Sequence, residues 1–434
     1  MKVSLKVSQI LFLFATFTSL AAAQAPPATI SLDLHEAVRR AQAYNPQFLA
    51  GGIGVSSAQE SRKQAKAALL PTASLLSQYV YTQANGTDSG IFVANNGEHE
   101  FGEQATGHAD FSMTKRADYK RTIAAEATAR ARLDIAVRGL IVTVAQNYYT
   151  LVLAQRRLVN AQNSLNEARR FEDLTGRQEQ GGEVAHADVV KAQLQRQQRE
   201  RDQLEAEVNI EKAKVALAVL LFPDLNQPFA VADDLRTQEA LPAVDEARTL
   251  GTTNNPFLRA VQSMIVETNY GVQAARGEYF PVFAVDYFFG IDGNKFARRN
   301  FAGQNYLGSV VAASLTLPVW NWGATRSRVR QAELQRRQAE IDLRQTQRDL
   351  QAGLENLYLE TSVSRAQIAS LQTSVDTAAE SLRLTNLRYQ GGEATALEVV
   401  DAQTAATLAR DAYDSGLARH RLAIVSLQAN MGTF

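Results

Sequence analysis

The stretch Tyr389-Gln390-Gly391-Gly392-Glu393-Ala394-Thr395-Ala396-Leu397-Glu398-Val399-Val400-Asp401-Ala402-Gln403 separates two long helical patterns, and it has a twin earlier in the chain. The twin runs from Arg177 to Gln193 and carries Gly181-Gly182, Val189-Val190 and Ala192-Gln193. Gly391 and Gly181 lie 210 positions apart, and the same offset joins Asn45-Pro46 to Asn255-Pro256, Pro71 to Pro281, and Tyr148 to Tyr358. A single offset held over most of a 434-residue chain means an internal duplication. The chain is therefore two copies of one elongated unit, not two or three compact domains.

Each copy has the same order. In the first, residues 24–222, Asp33-x-x-Glu36 reads as a capping box that opens a short helix. Asn45-Pro46 restarts the helix, with Asn at the N-cap and Pro at the first helical position. Pro71 stops it. A period-two stretch follows at about 72–83, with Leu75, Tyr79 and Tyr81 on one face. A polar loop and a weaker strand at about 106–114 come next. A very long helix then runs to the Gly181-Gly182 turn, and another returns to about Leu221. Residues 223–242 hold three prolines and read as an extended linker. The second copy, 243–434, has strands at about 282–291 and 306–317, then its own long helix, glycine turn and return helix. Ile368, Leu371, Val375, Ala378, Leu382, Thr385 and Tyr389 alternate by three and four, the seam of a coiled coil.

Helix lengths add a geometric expectation. The helix before each strand pair and the helix after each glycine turn together match one long helix. Stacked end to end beside it, they would make a two-stranded rod, with strands at one end and the glycine turn at the other.

Composition narrows the function. Lys and Arg number 45, as do Asp and Glu, so no concentrated basic excess points to nucleic acid. There is no cysteine, which removes disulfides, thiolate metal sites and an N-terminal lipidated cysteine. Lys2 and Lys6, an apolar run from Ile10 to Leu20, and Ala21-Ala22-Ala23 read as a signal peptide over 1–23. No later stretch is apolar enough for a spanning helix. The strands, however, are apolar and aromatic on one face over about ten residues, enough for a tilted strand to cross a bilayer. Four strands cannot close a barrel, and open edges in lipid would each leave backbone groups unpaired. A dimer would supply eight strands and a trimer twelve. The bland alternative is a small soluble sheet capping a helical rod.

The chain resembles the TolC-like outer membrane factor family, over about Ser31 to Met431. The marks are Glu36-Ala37 ahead of Asn45-Pro46, Glu246-Ala247 ahead of Asn255-Pro256, Pro71 and Pro281, Leu317-Pro318-Val319-Trp320-Asn321-Trp322-Gly323, and the Tyr389–Gln403 stretch. The resemblance implies a mostly α fold with a small β part. Duplicated helical hairpins would form a periplasmic coiled-coil tunnel, and four strands per chain would enter a twelve-stranded barrel in a homotrimer. It implies the exit duct of a tripartite efflux or type I secretion system: a passive conduit, not an enzyme, without cofactors, non-lipidated, in the outer membrane of a diderm bacterium. Its partners would be outer-membrane lipid, a periplasmic adaptor and an inner-membrane pump. The other reading is a periplasmic coiled-coil adaptor or scaffold without a pore.

The resemblance also nominates residues. Glu398 and Asp401 match acids that ring the narrowest part of the lumen. Thr395-x-x-Glu398 is equally a capping box. Asp188 and Tyr389 match a tip lock, but Ala394 stands where the family's best-known members carry an arginine. Gly181, Gly182, Gly391 and Gly392 match the adaptor-docking turns. Trp320 and Trp322 fit an interfacial aromatic belt. His99, His108 and their acidic neighbours fit no standard metal-ligand spacing and read as solvated loop. Loop one carries acids and loop two Lys295, Arg298 and Arg299, so the loops would meet through opposite charge.

Overall fold

A computed structural model describes residues 30–82, 99–237, 240–253, 255–299 and 301–434. The expected leader and most of the first loop lie outside the described residues. The elements are β1 (Ile30–Leu32), α1 (Leu34–Tyr44), α2 (Pro46–Ala67), β2 (Thr72–Tyr81), β3 (His99–Phe111), α3 (Met113–Gln180), α4 (His186–Leu221) and β4 (Phe229–Val231). The second copy gives α5 (Val244–Thr253), α6 (Pro256–Gly277), β5 (Val282–Gly293), β6 (Leu307–Thr316), α7 (Ala324–Gln390) and α8 (Ala396–Met431).

The two long helices hold 68 and 67 residues, about 100 Å each at 1.5 Å per residue. α2 and α4 both pack along α3, and α6 and α8 along α7, so the end-to-end arrangement is present. α3 also packs on α6 and α8, which binds the two copies side by side. The restarts are capped as their sequence requires. Asn45 Oδ1 accepts from the Gln47 and Phe48 amides at 2.9 and 3.2 Å, and Asn255 Oδ1 from the Phe257 amide at 2.9 Å. Gly416 marks close approach of α7 and α8: a Cβ there would stand 2.5 Å from Leu371 Cδ1.

The main core lies midway along the rod. β1 and β4 pair in parallel, so the linker between copies crosses back onto the chain's beginning. Tyr148 is fully buried beneath them, its Oη 2.7 Å from the Ala232 carbonyl and 3.2 Å from that of Leu32. Arg156 bridges Asp233 of the linker at 2.7 and 2.8 Å and Asp414 of α8 at 2.8 Å. Below this belt the contact between α3 and α8 turns polar, as at Ser164–Thr407, 2.9 Å.

The four longer strands form one antiparallel sheet in the order β2-β3-β5-β6, and β3–β5 joins the two copies. The register keeps odd-numbered residues on one face throughout: Tyr79 opposes Phe101, Phe101 opposes Gly293, and Phe289 opposes Ser309. That face carries Leu75, Tyr79, Phe283, Tyr287, Phe289 and Val311, all exposed in a single chain. The even face carries Thr72, Ser74, Gln104, Thr106 and His108.

Two expectations change. β3 begins at His99 rather than near 106. Between 99 and 104 both faces include charged or polar residues, so no apolar alternation signals the strand there. His99 and His108 therefore belong to the sheet, not to a solvated loop. His108 Nδ1 lies 2.7 Å from Asp286 Oδ1 on the neighbouring strand, and His99 Nδ1 2.9 Å from Tyr79 Oη.

Candidate functional site

The two glycine turns sit together at the end of the rod away from the sheet. Each closes its long helix in the same way. Gly181 and Gly391 remain right-handed, while Gly182 and Gly392 take φ of +74° and +77°. The next amide then reaches back to the helix: Glu183 to the Gln178 carbonyl and Glu393 to the Arg388 carbonyl, both at 2.8 Å. This wrap satisfies carbonyls that a helix end leaves orphaned, and it needs a left-handed residue, which glycine supplies without steric cost.

A small apolar cluster joins the turns. Phe171 and Ala192 of the first hairpin pack on Tyr389, Ala396 and Val399 of the second, with Val184 and Ala394 at its margin. The Phe171 and Tyr389 rings lie 5.1 Å apart. Tyr389 Oη donates to Thr175 Oγ1 at 3.1 Å, and Thr175 donates on to the Phe171 carbonyl at 2.9 Å. Burial pushes the Tyr389 phenol above its usual range, and the nearby Asp188 carboxylate adds to the rise. Within this chain Asp188 itself accepts from Lys191 Nζ at 3.1 Å. Phe171 and Thr175 were not singled out in the sequence. Their sole signal is their place on the apolar seam of α3.

Glu398 has two local tasks. Its carboxylate accepts from the Thr395 amide at 3.2 Å while Thr395 Oγ1 accepts from the Glu398 amide at 3.3 Å, a complete capping box. Arg388 Nη1 also lies 3.3 Å from Glu398 Oε2, and Arg388 Nη2 donates to the Glu393 carbonyl at 3.1 Å. The Thr395 amide first, and the Arg388 guanidinium after it, hold the Glu398 carboxyl below the usual glutamate range. Arg388 thus brings a guanidinium to the turn although Ala394 cannot. The duplication gave no hint of this, since the twin of Arg388 is the uncharged Gln178. Glu398, Asp401 and Leu408 lie on the exposed side of α8, opposite the buried Ala396, Val399, Gln403 and Ala406.

At the other end Trp320 and Trp322 form a T-shaped pair 5.8 Å apart and remain 76% and 90% exposed. Trp322 takes φ of +55°, unusual for a bulky residue, just before Gly323 at +81°. Among the described residues no helix is long and apolar enough to cross a membrane, and no group of three His, Cys, Asp or Glu side chains could hold a metal.

A model of the family described as outer membrane efflux protein matches residues 37–221 and 251–433. The chain belongs to the outer membrane efflux protein family. The two matched segments correspond to the two copies, with the linker between them. Among curated relatives of this family, the cobalt-zinc-cadmium resistance protein CzcC of Cupriavidus metallidurans is 25% identical over 302 residues, 68% of this chain and 67% of that protein. The alkaline protease secretion protein AprF of Pseudomonas aeruginosa is 22% identical over 294 residues, 66% of this chain and 60% of that protein. The fold matches the Campylobacter jejuni CmeC outer membrane channel with a TM-score of 0.81 at 18% identity, covering 92% of this chain and 85% of that one. It matches the outer membrane protein VceC of Vibrio cholerae at 0.80 and 17% identity, covering 92% and 96%. This family membership makes the chain an outer-membrane efflux duct, not a pore-free adaptor, and its fold is that of channels.

Proposed function

We propose that three copies of the chain close a twelve-stranded barrel in the outer membrane, above a helical tunnel that crosses the periplasm. The observation that carries this reading is the open sheet. Among the described residues β2 pairs only with β3, and β6 only with β5, so each chain presents two bare edges. In hydrocarbon every unpaired backbone group costs several kcal/mol. β2 of one copy beside β6 of the next removes all such edges at once. The helices make the same demand. α4 exposes Leu194, Leu204, Val208, Val215 and Val219, and α7 exposes Leu334, Ile341, Leu359 and Val363. These stripes fit the flank of a neighbouring copy.

In this reading the glycine turns form the periplasmic tip, where a periplasmic adaptor and an inner-membrane pump dock, and the bulk of the chain is periplasmic. Trp320 and Trp322 sit at the periplasm-facing boundary of the outer membrane. Threefold symmetry gathers Glu398 and Asp401 of each copy near the axis, where like charges attract cations. The named relatives belong to metal resistance and to protease secretion, so cargo choice rests with the pump.

Planar-bilayer conductance tests the reading. Wild-type protein is expected to conduct little and to be blocked further by multivalent cations from the tip side. Glu398→Ala combined with Asp401→Ala should relieve that block. Unchanged block would remove the acidic constriction, and protein released from membranes by carbonate would remove the barrel.

A further inference from the structure

We propose that the outer rim of the sheet binds a phosphate-bearing lipid of the outer leaflet. The site is a cavity of about 520 Å³ lined by Tyr79, His99, Phe101, Asn294, Lys295 and Phe296. It lies at the end of the strands away from the helices. Tyr79, His99 and Phe101 belong to the odd-numbered face, which is the face a bilayer wraps if the strands close a barrel, and the proposal rests on that reading.

The walls are aromatic and mutually fixed. Tyr79 and Phe101 oppose each other across β2 and β3 with centroids 5.0 Å apart. Phe296, from the loop beyond β5, folds back so that its ring meets Phe101 edge-on at 6.2 Å. The Tyr79–His99 hydrogen bond engages the phenol and one imidazole nitrogen, so the phenyl and phenol rings present mainly apolar surface. Phe296 and Phe301 nevertheless stay 67% and 95% exposed.

Charge decides the occupant. From Asn294 to Tyr306 the chain carries Lys295, Arg298 and Arg299 and no acid. Lys295 Nζ sits 4.1 Å from the Phe301 ring centroid, and Arg299 Nε donates to Asn305 Oδ1 at 3.0 Å. None of the three pairs with a carboxylate among the described residues. The nearest acid on the same face, Glu103, is one row closer to the helices and bonds Ser77. Of the three cations Lys295 lines the cavity, and Arg298 and Arg299 follow in the same loop. An apolar aromatic floor with a cation at its edge matches an acyl chain joined to a phosphate, at the depth where such a molecule changes from tail to headgroup.

The test uses full-length protein extracted in detergent, titrated with bisphosphorylated lipid A and read by native mass spectrometry. Lys295→Gln with Arg298→Gln should weaken retention roughly fivefold for each cation removed. Phe296→Ala should weaken it as well, and inorganic phosphate should not compete. Retention equal to wild type in both variants would overturn the proposal, and would be the result if the cations instead pair with acids of loop one. Displacement by inorganic phosphate alone would overturn it too, leaving only an anion site. Conductance of each variant is recorded in parallel. Protein that neither inserts nor conducts contradicts the barrel; protein that conducts with unchanged lipid retention contradicts only the pocket.

Discussion

Glu398 shows how one side chain serves two local tasks at once. It completes the cap of α8, and it meets Arg388 across the turn. Its folded pKa lies below the ordinary value of 4.5, so its contribution to the tip is fully present above 4.5 and is lost as pH falls through the lower folded value. Hydrogen exchange at Ala396–Val399, corrected for intrinsic rates, should therefore stay flat from neutral pH down to 4.5 and rise below it. Glu398→Gln should abolish that pH dependence. Exchange that changes above 4.5, or a variant with the wild-type profile, would contradict this account. The capping half of Glu398 was legible in the spacing Thr395-x-x-Glu398. The Arg388 half was not, because it depends on how the glycine turn folds a carbonyl and a guanidinium back toward α8.

At the scale of elements, the turns and restarts were the most legible features. Asn-Pro, Gly-Gly and the helix-stopping prolines act through local backbone chemistry, and a duplicated pattern reports each of them twice. The glycines within a pair are not equivalent. Gly392 is left-handed, so Gly392→Ala should destabilise the tip locally by about 1 kcal/mol, measured by hydrogen exchange on both flanking helices. Gly391→Ala keeps a right-handed conformation, with its new Cβ 3.5 Å from the nearest atom, and should be close to neutral. Equal effects at the two positions would contradict the turn geometry. The start of β3 was illegible for the opposite reason: His99 and Glu103 are held by cross-strand partners, Tyr79 and Ser77, not by an apolar pattern. Likewise the packing of Tyr389 against Phe171 and Thr175 arises between elements more than two hundred residues apart. No local signal announces it.

The whole molecule is a rod with a buried central belt, an open sheet at one end and uncovered apolar flanks on its helices. The central belt is closed by the linker: Tyr148 beneath β1 and β4, and Arg156 between Asp233 and Asp414. Among the described residues the sheet has two unpaired edges, and apolar stripes stay exposed along the flanks of α4 and α7. Both defects call for neighbours, and only a closed ring of identical copies removes both without creating new edges. Native mass spectrometry of the detergent-extracted, uncrosslinked protein asks this directly. Three subunits per particle are expected, and a stable monomer or dimer would contradict the account.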